Sequence, residues 1–235
     1  MIENARLQIL SAGAPKVGVL RCAQACFGPA GVQFQLDFAT APEISERVAN
    51  GTTHADVVVA PTAVMRTIVT EGAVVGGSLV ALGRVSTGVA VANETYKPDI
   101  SSSEALRGAI ADADGLVFNR ASSGKHVEAL IESFGFAERL ADKIVRTDSG
   151  SQVMEYLAEN RLKKILAFAQ VTEIRFREDL GVRLVGPLPH SLGRHTQYVS
   201  ALAGDAANIA PAKALLAFFE SSEGREILSN AGLDL

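Results

Sequence analysis

A unit of strand, small-residue loop and helix recurs along this chain, and it constrains the fold more than any other feature. Residues 6–10 alternate in polarity as a half-buried strand does, residues 11–15 (Ser-Ala-Gly-Ala-Pro) predict a loop, and residues 17–27 have the apolar spacing of a helix. The order then repeats in these segments: a strand over 32–38, a helix from Thr40, a strand over 55–60 and a helix from Pro61. Strands that alternate with helices pair in parallel, so this part of the chain predicts a βαβαβ arrangement.

The same organisation restarts after strand-like segments over 79–92. A helix capped by Ser101 or Ser102 precedes a strand at 115–118, and a polar loop over 119–126 is predicted to lead into a helix over 127–134. Further elements are predicted in this order: a strand at 143–146, a helix that starts at residues 148–151, and a strand at 165–169 that ends over 170–174. After residues 182–188, a loop through 190–195 leads to a strand at 197–202, and helices follow at 210–219 and 222–231. Two α/β halves therefore share one chain.

Charge and motif content exclude several function classes. The 22 Lys and Arg residues against 26 Asp and Glu residues give a net charge of −4 without blocks of one sign, so we expect neither nucleic-acid binding nor membrane insertion. Neither GxGxxG nor GxxxxGK[ST] occurs, and we predict no cofactor. Cys22 and Cys26 lie four residues apart in a predicted helix, where a disulfide would be strained, and without a nearby His cluster they predict buried free thiols and no metal site.

Small and hydroxyl-bearing residues follow the predicted strands of both halves. Ligands of open α/β sheets bind outside the carboxyl ends of the strands, where helix N-termini present N–H groups to small anions. In the second half, Arg120, Lys125 and His126 add positive charge that suits carboxylates. The alternative is that the small residues are ordinary helix caps and that the charges are solvated at the surface.

The order of these segments resembles the substrate-binding proteins of bacterial ABC transporters, particularly the molybdate-binding-like group with the type 2 periplasmic-binding fold. The matching pieces span essentially the whole chain: residues 9–14 (Ile-Leu-Ser-Ala-Gly-Ala), 55–59, 88–91, 97–100, 121–124, 170–174, 186–189 and 221–233. The resemblance implies a two-lobed α/β fold in which each lobe is a mixed, mostly parallel sheet flanked by helices. Lobe I is expected to comprise residues 1–83 and 196–235 and lobe II residues 84–195, with a ligand cleft between them.

The same resemblance implies a set of ligand-binding residues at the strand ends of both lobes. These are Ser11, Ala12, Gly13, Thr40, Arg120, Ser122, Ser123, Gly124, Lys125, His126, Ser149 and Thr172. One departure concerns the ligand. Molybdate binders have a turn rich in glycine and serine at the second site, whereas this chain has Ala39-Thr40-Ala41-Pro42, and Pro42 has no N–H to donate. A di- or tricarboxylate is therefore a candidate ligand beside a tetrahedral oxyanion.

Three functions remain open at this stage, because a fold alone does not select one. The first is a solute-binding protein for a small anion, with an ABC importer as partner if the protein is exported. The second follows from aconitate isomerase, a member of the same group: a cofactor-independent isomerase that shifts a proton along an unsaturated carboxylate, with His126 or Lys125 as the acid or base and Glu173 and Asp37 as weaker candidates. The third is a regulatory module, although no DNA-binding helix-turn-helix precedes the first strand.

Cellular location follows from how the N-terminus is interpreted. Residues 1–6 lack the basic segment, apolar stretch and cleavage site of a secretory signal. We expect a cytoplasmic protein if Met1 is the native start, and a periplasmic protein if a signal peptide was removed.

Overall fold

The computed structural model describes residues 6–92 and 96–235, with Ser122 described by its backbone alone. The α/β class is confirmed, since strands and helices alternate in the predicted order. The chain divides into two compact units, Met1–Val85 with Thr196–Leu235 and Ser86–His195. The first division falls after residue 85, where the sequence predicted residue 83. The expectation of a ligand held between two lobes stays a prediction.

The strands and helices have the following bounds in chain order. They are β1 (Leu7–Ala12), α1 (Lys16–Phe27), β2 (Phe34–Ala39), α2 (Ala41–Ala49), β3 (Val57–Pro61), α3 (Thr62–Thr70), β4 (Val80–Val91), α4 (Ser103–Asp112), β5 (Gly115–Asn119), α5 (Ser122–Ser133), β6 (Ile144–Thr147), α6 (Gly150–Glu159), β7 (Ile165–Gln170), α7 (Val171–Phe176), β8 (Arg183–Pro187), β9 (His195–Leu202), α8 (Ile209–Glu220) and α9 (Ser222–Asn230).

The sheet of the first unit is built on β1. This strand pairs in parallel with β2 on one side and β3 on the other, and β9 continues the sheet antiparallel to β3. Every residue of β3 is buried, as its β-branched sequence predicts for a strand covered on both faces. Ala12 lies opposite Ala39, so the loops that follow β1 and β2 leave the sheet side by side.

The second unit repeats this arrangement around β5. Here β5 pairs in parallel with β6 and β7, β4 lies antiparallel to β7, and β8 is antiparallel to β4. Alternate residues of β5 enter two separate apolar clusters, with Leu116 and Phe118 in one and Val117 in the other. The sheet is therefore covered on both faces, and the carboxyl ends of β5, β6 and β7 lie at one edge.

Two predicted boundaries near this edge were wrong. Helix α5 begins at Ser122, so residues 122–126 are helical and not part of a polar loop. Their buried positions are the small residues Ser123 and Gly124, which pack against Asn119 at the end of β5, so they show no apolar periodicity. Residues 171–174, expected to end a strand, instead form α7, which buries Thr172 and Ile174 within only six residues and is too short for its periodicity to be recognised.

Both cysteines are free thiols on α1, as predicted. Cys22 is buried and Cys26 is partly exposed. Burial, followed by the neighbouring Cys26 and Glu223, raises the pKa of the Cys22 thiol to about 12. A thiol in this environment stays protonated and contributes through packing. Across residues 6–92 and 96–235, the helices are too short or too polar to traverse a bilayer.

Candidate functional site

Buried polar residues concentrate at the carboxyl edges of the two parallel sheets. Six of the eight buried polar or charged residues in the described parts of the chain lie there: Ser11, Thr87, Asn119, Ser123, Gln170 and Thr172. Burying a polar group is unfavourable unless it is hydrogen-bonded, so such a concentration marks the edge where polar groups serve a purpose other than core packing. Five of the six belong to the second unit.

In the first unit, the predicted residues of two loops are adjacent. Ser11 is fully buried, and its Oγ donates to the carbonyl of Ala12 at 3.0 Å. Gly13 accepts a hydrogen bond from the Lys16 N–H at 3.2 Å, which closes the turn into α1. Because Ala12 pairs with a residue that directly precedes Thr40, the β1 and β2 loops place their predicted ligand contacts together.

Thr40 caps α2 by means of a carboxylate from the same helix. Its N–H and its Oγ1 both donate to Glu43 Oε2, at 2.7 and 2.9 Å. These two hydrogen bonds lower the pKa of Glu43. The predicted cap is confirmed. Both donors of Thr40 bind the carboxylate of Glu43 in the same helix, and this carboxylate places a negative charge at the carboxyl edge of the first unit.

In the second unit, α5 lies so close to β5 that one position must be glycine. A Cβ on Gly124 would lie 1.5 Å from the carbonyl oxygen of Asn119. The Asn119 side chain continues the contact, since its Oδ1 accepts from the Ala121 N–H at 3.0 Å and from Ser123 Oγ at 3.4 Å. Ser123 and Gly124 therefore fasten α5 to the strand end, a packing role that is compatible with a ligand at the helix N-terminus.

The cationic residues beside this turn differ in their surroundings. Arg120 Nη1 lies 2.8 Å from Asp148 Oδ1, with 60% and 78% of the two side chains exposed. An ion pair this exposed contributes at most about 1 kcal/mol to stability, so Arg120 is free to exchange partners. Lys125 is exposed on the second turn of α5. Both positive charges are accessible at the predicted position.

His126 is half-buried, and its ring contacts the backbone. Nε2 lies 2.7 Å from the carbonyl oxygen of Leu192. A carbonyl oxygen only accepts, so Nε2 carries a proton and the neutral ring keeps Nδ1 bare. Any proton transfer by His126 would have to use Nδ1.

The remaining predicted residues lie at the ends of β6 and β7. Ser149 Oγ accepts from the Gln152 N–H at 3.3 Å and Gln152 Oε1 accepts from the Ser149 N–H at 3.3 Å, which forms a capping box at α6. A Cβ on Gly150 would lie 2.2 Å from Glu173 Oε2, so the Glu173 carboxylate lies against the first turn of α6. Thr172 is 4% exposed, and its Oγ1 has no hydrogen-bond partner among the described residues.

Sequence reasoning missed Asn119, Gln170 and Thr87 as candidates. Each is buried, and Thr87 pairs with Gln170 across β4 and β7 at the same edge. A polar residue that ends an otherwise apolar strand is a signal that could have identified Asn119 and Gln170. Thr87 gave no such signal, because it lies within a long strand.

A separate polar groove of about 430 Å³ opens in the first unit. Asp37, Arg47 and His54 line it together with residues 8–10 of β1. Asp37 is thus part of the lining of this groove. Within residues 6–92 and 96–235, no group of three or more His, Cys, Asp and Glu side chains is arranged to hold a metal ion.

Comparison with known proteins gives a match over nearly the whole chain. The sequence model for bacterial extracellular solute-binding proteins matches residues 7–234. Aconitate isomerase from a Pseudomonas species is 26% identical over 238 residues, which cover 97% of this chain and 87% of that protein.

Solved structures share the fold at low sequence identity. The periplasmic molybdate-binding protein of Azotobacter vinelandii superimposes with a TM-score of 0.80 at 14% identity, covering 98% of this chain and 99% of that one. The sulfate-binding protein of Mycobacterium tuberculosis H37Rv gives a TM-score of 0.75 at 15% identity, with coverages of 97% and 86%. The predicted type 2 periplasmic-binding fold is confirmed.

Proposed function

We propose a function for this chain from the premise that it belongs to the bacterial extracellular solute-binding protein family: it binds a small anion at the carboxyl edge of its second unit. The predicted residues of the second unit would provide the main contacts. For this binding function we propose an ABC importer as the partner that receives the ligand.

The observation that carries the proposal is the unpaired hydroxyl of Thr172. A buried hydroxyl without a partner costs about 1–3 kcal/mol, so such groups are rare unless something else satisfies them. Thr172 lies among the buried polar residues at the ends of β5 and β7, and Glu173 beside it contacts the start of α6. A ligand oxygen is the partner that this hydroxyl lacks.

Charge supports a carboxylate over a compact tetrahedral dianion. The N–H and the hydroxyl of Thr40 both donate to Glu43, so the loop after β2 offers neither of these donors to a tetrahedral oxyanion. Arg120 and Lys125 in the second unit give positive charge, and a guanidinium binds carboxylates in a bidentate manner. We therefore propose a di- or tricarboxylate, whose charges are spread over several atoms.

A second candidate function is isomerisation of an unsaturated carboxylate, favoured by the 26% identity to aconitate isomerase over 97% of the chain. In a 1,3-proton shift, a base removes a proton from one carbon, the double bond moves, and an acid returns a proton at the far carbon of the allylic system. Glu173, Lys125 and the bare Nδ1 of His126 are the proton-transfer candidates. The same carboxylate-binding residues would serve both functions.

Proton NMR of the protein in D2O tests both candidates. The panel comprises cis- and trans-aconitate, citrate and other di- and tricarboxylates, with molybdate and sulfate tested by calorimetry. Line broadening of one anion without chemical change supports a binding protein. Deuterium incorporation or interconversion that is lost in His126→Ala supports the isomerase. An absence of response to every anion contradicts the proposal.

A further inference from the structure

The second unit ends in a short segment, residues 188–194, that precedes β9 and the return of the chain to the first unit. We call it the return segment. Both of its ends are bonded to one residue of β4: the Leu188 N–H donates to the Thr87 carbonyl at 3.0 Å, and the Thr87 N–H donates to the Arg194 carbonyl at 3.4 Å. The segment is thus a loop closed on β4.

Its middle is a tight turn with one polar contact to α5. The N–H groups of Leu192 and Gly193 both donate to the carbonyl of Pro189, at 2.8 and 2.7 Å. The carbonyl of Leu192 accepts from Nε2 of His126 at 2.7 Å, across 66 positions of sequence. The Leu192 side chain packs against the apolar cluster that includes Val127, the residue after His126.

We infer that His126 is a positioning residue that ties α5 to the return segment. Two contacts join α5 to the return segment: the hydrogen bond from His126 Nε2 to the Leu192 carbonyl, and the packing of the Leu192 side chain on the apolar cluster that includes Val127. The proposed function places the ligand at the first turn of α5. In one respect the inference rests on that function: a ligand bound there should also slow amide exchange in the return segment. The tautomer and the tie itself are independent of any ligand.

The tautomer can be measured directly on the full chain. Long-range proton–nitrogen NMR of the 15N-labelled protein distinguishes a protonated from a bare ring nitrogen. We expect His126 to show a protonated Nε2 and a bare Nδ1 at a pH where the ring is neutral, because a carbonyl can only accept. A protonated Nδ1, or a ring averaging between both forms, would overturn the inference. This measurement needs no variant, so it stands even if a substitution impairs folding.

Hydrogen exchange of the Leu192 and Gly193 amides measures the strength of the tie. We expect His126→Phe to speed exchange about fivefold, since a hydrogen bond contributes about 1 kcal/mol and a tenfold change corresponds to about 1.4 kcal/mol. His126→Gln keeps a donor, so exchange should stay within about threefold of the wild type. His190→Phe, the same change at an exposed histidine of the return segment, is the matched control and should leave the rates unchanged. Equal rates in His126→Phe and wild type would contradict the tie.

Measuring the same amide exchange with an anion bound distinguishes a failure of this inference from a failure of the proposed function. An anion that binds should slow exchange of these amides in the wild type but not in His126→Phe. If an anion binds and the wild-type rates do not change, the coupling is wrong while the function stands. If no anion binds, the proposed function fails, and the tautomer and exchange results still decide whether His126 ties α5 to the return segment.

Discussion

Each of the two units places two parallel strands beside a central one, yet the two units use their carboxyl edges differently. In the first unit the hydroxyls of Ser11 and Thr40 donate within the chain, to a carbonyl and to Glu43. In the second unit the Thr172 hydroxyl, which follows β7, is left unpaired, and exposed cations follow the neighbouring strand β5. The comparison teaches that a shared topology positions an edge without deciding what the edge binds. The polar groups that remain unpaired at an edge indicate where a ligand binds.

The largest expected effect is on the packing of the second edge. Gly124→Ala would place a Cβ 1.5 Å from the backbone oxygen of Asn119, which cannot move without shifting β5. We expect the free energy of unfolding to fall by about 3 kcal/mol or more, measured by urea denaturation. The control is Gly108→Ala, where nothing lies within 4 Å of the new Cβ and α4 should gain up to about 1 kcal/mol. Equal stabilities of the two variants would contradict the close packing.

The opposite, amino-terminal edges give a second comparison. Asp56 is buried, and its carboxylate accepts from the Gln8 N–H, the Asn208 N–H and the Asn208 side-chain amide, at 2.7–2.9 Å. Asp114 of the second unit accepts from the Lys164 N–H at 2.8 Å and is exposed. Because Asp56→Ala leaves three partly buried donors without their acceptor, we expect it to lower the free energy of unfolding by about 3 kcal/mol, and Asp114→Ala by about 1 kcal/mol. Urea denaturation of both variants checks this order, and the reverse order would be incompatible with it.

Each unit also contains a group whose pKa is raised to about 12, the buried thiol of Cys22 in the first and the partly buried Tyr96 in the second, with burial as the main cause. The folded state holds these protons more tightly than the unfolded state, so stability falls as the pH rises, from about pH 9 for Cys22 and about pH 10 for Tyr96 towards pH 12. Each group contributes up to about 1 kcal/mol per pH unit to this loss. Urea denaturation between pH 8 and 11.5 should show a shallower decline for Cys22→Ala and for Tyr96→Phe. Slopes identical to the wild type would refute the raised pKa values.

Local sequence signals predicted most of the fold and part of the site. The caps at Thr40, Ser102 and Ser149 follow from residues within the same turn, which is why they could be predicted. The start of α5 could not, because its helical state depends on the close approach of Gly124 to Asn119 in the folded sheet.

Contacts between residues that are far apart in the sequence could not be predicted from local sequence patterns. The hydrogen bond from His126 to Leu192 spans 66 positions of sequence, and the ion pair of Arg120 spans 28. Thr172 was predicted as a contact through resemblance alone. The physical reason for this contact is that the Thr172 hydroxyl is buried without a hydrogen-bond partner, and this is visible only in the folded structure.

The central claim is that the carboxyl edge of the second unit binds an anion through Thr172. The most direct test is to measure the dissociation constant of the best-binding anion of the panel for the wild type, Thr172→Val and Tyr96→Phe. Tyr96 carries the other buried unpaired hydroxyl of the described residues, near Asp112 and Asp114 at the amino-terminal edge, so it is the matched control. Calorimetry should show about tenfold weaker binding for Thr172→Val, with stability unchanged or higher by about 1 kcal/mol, and unchanged binding for Tyr96→Phe. Wild-type affinity in Thr172→Val would contradict the account.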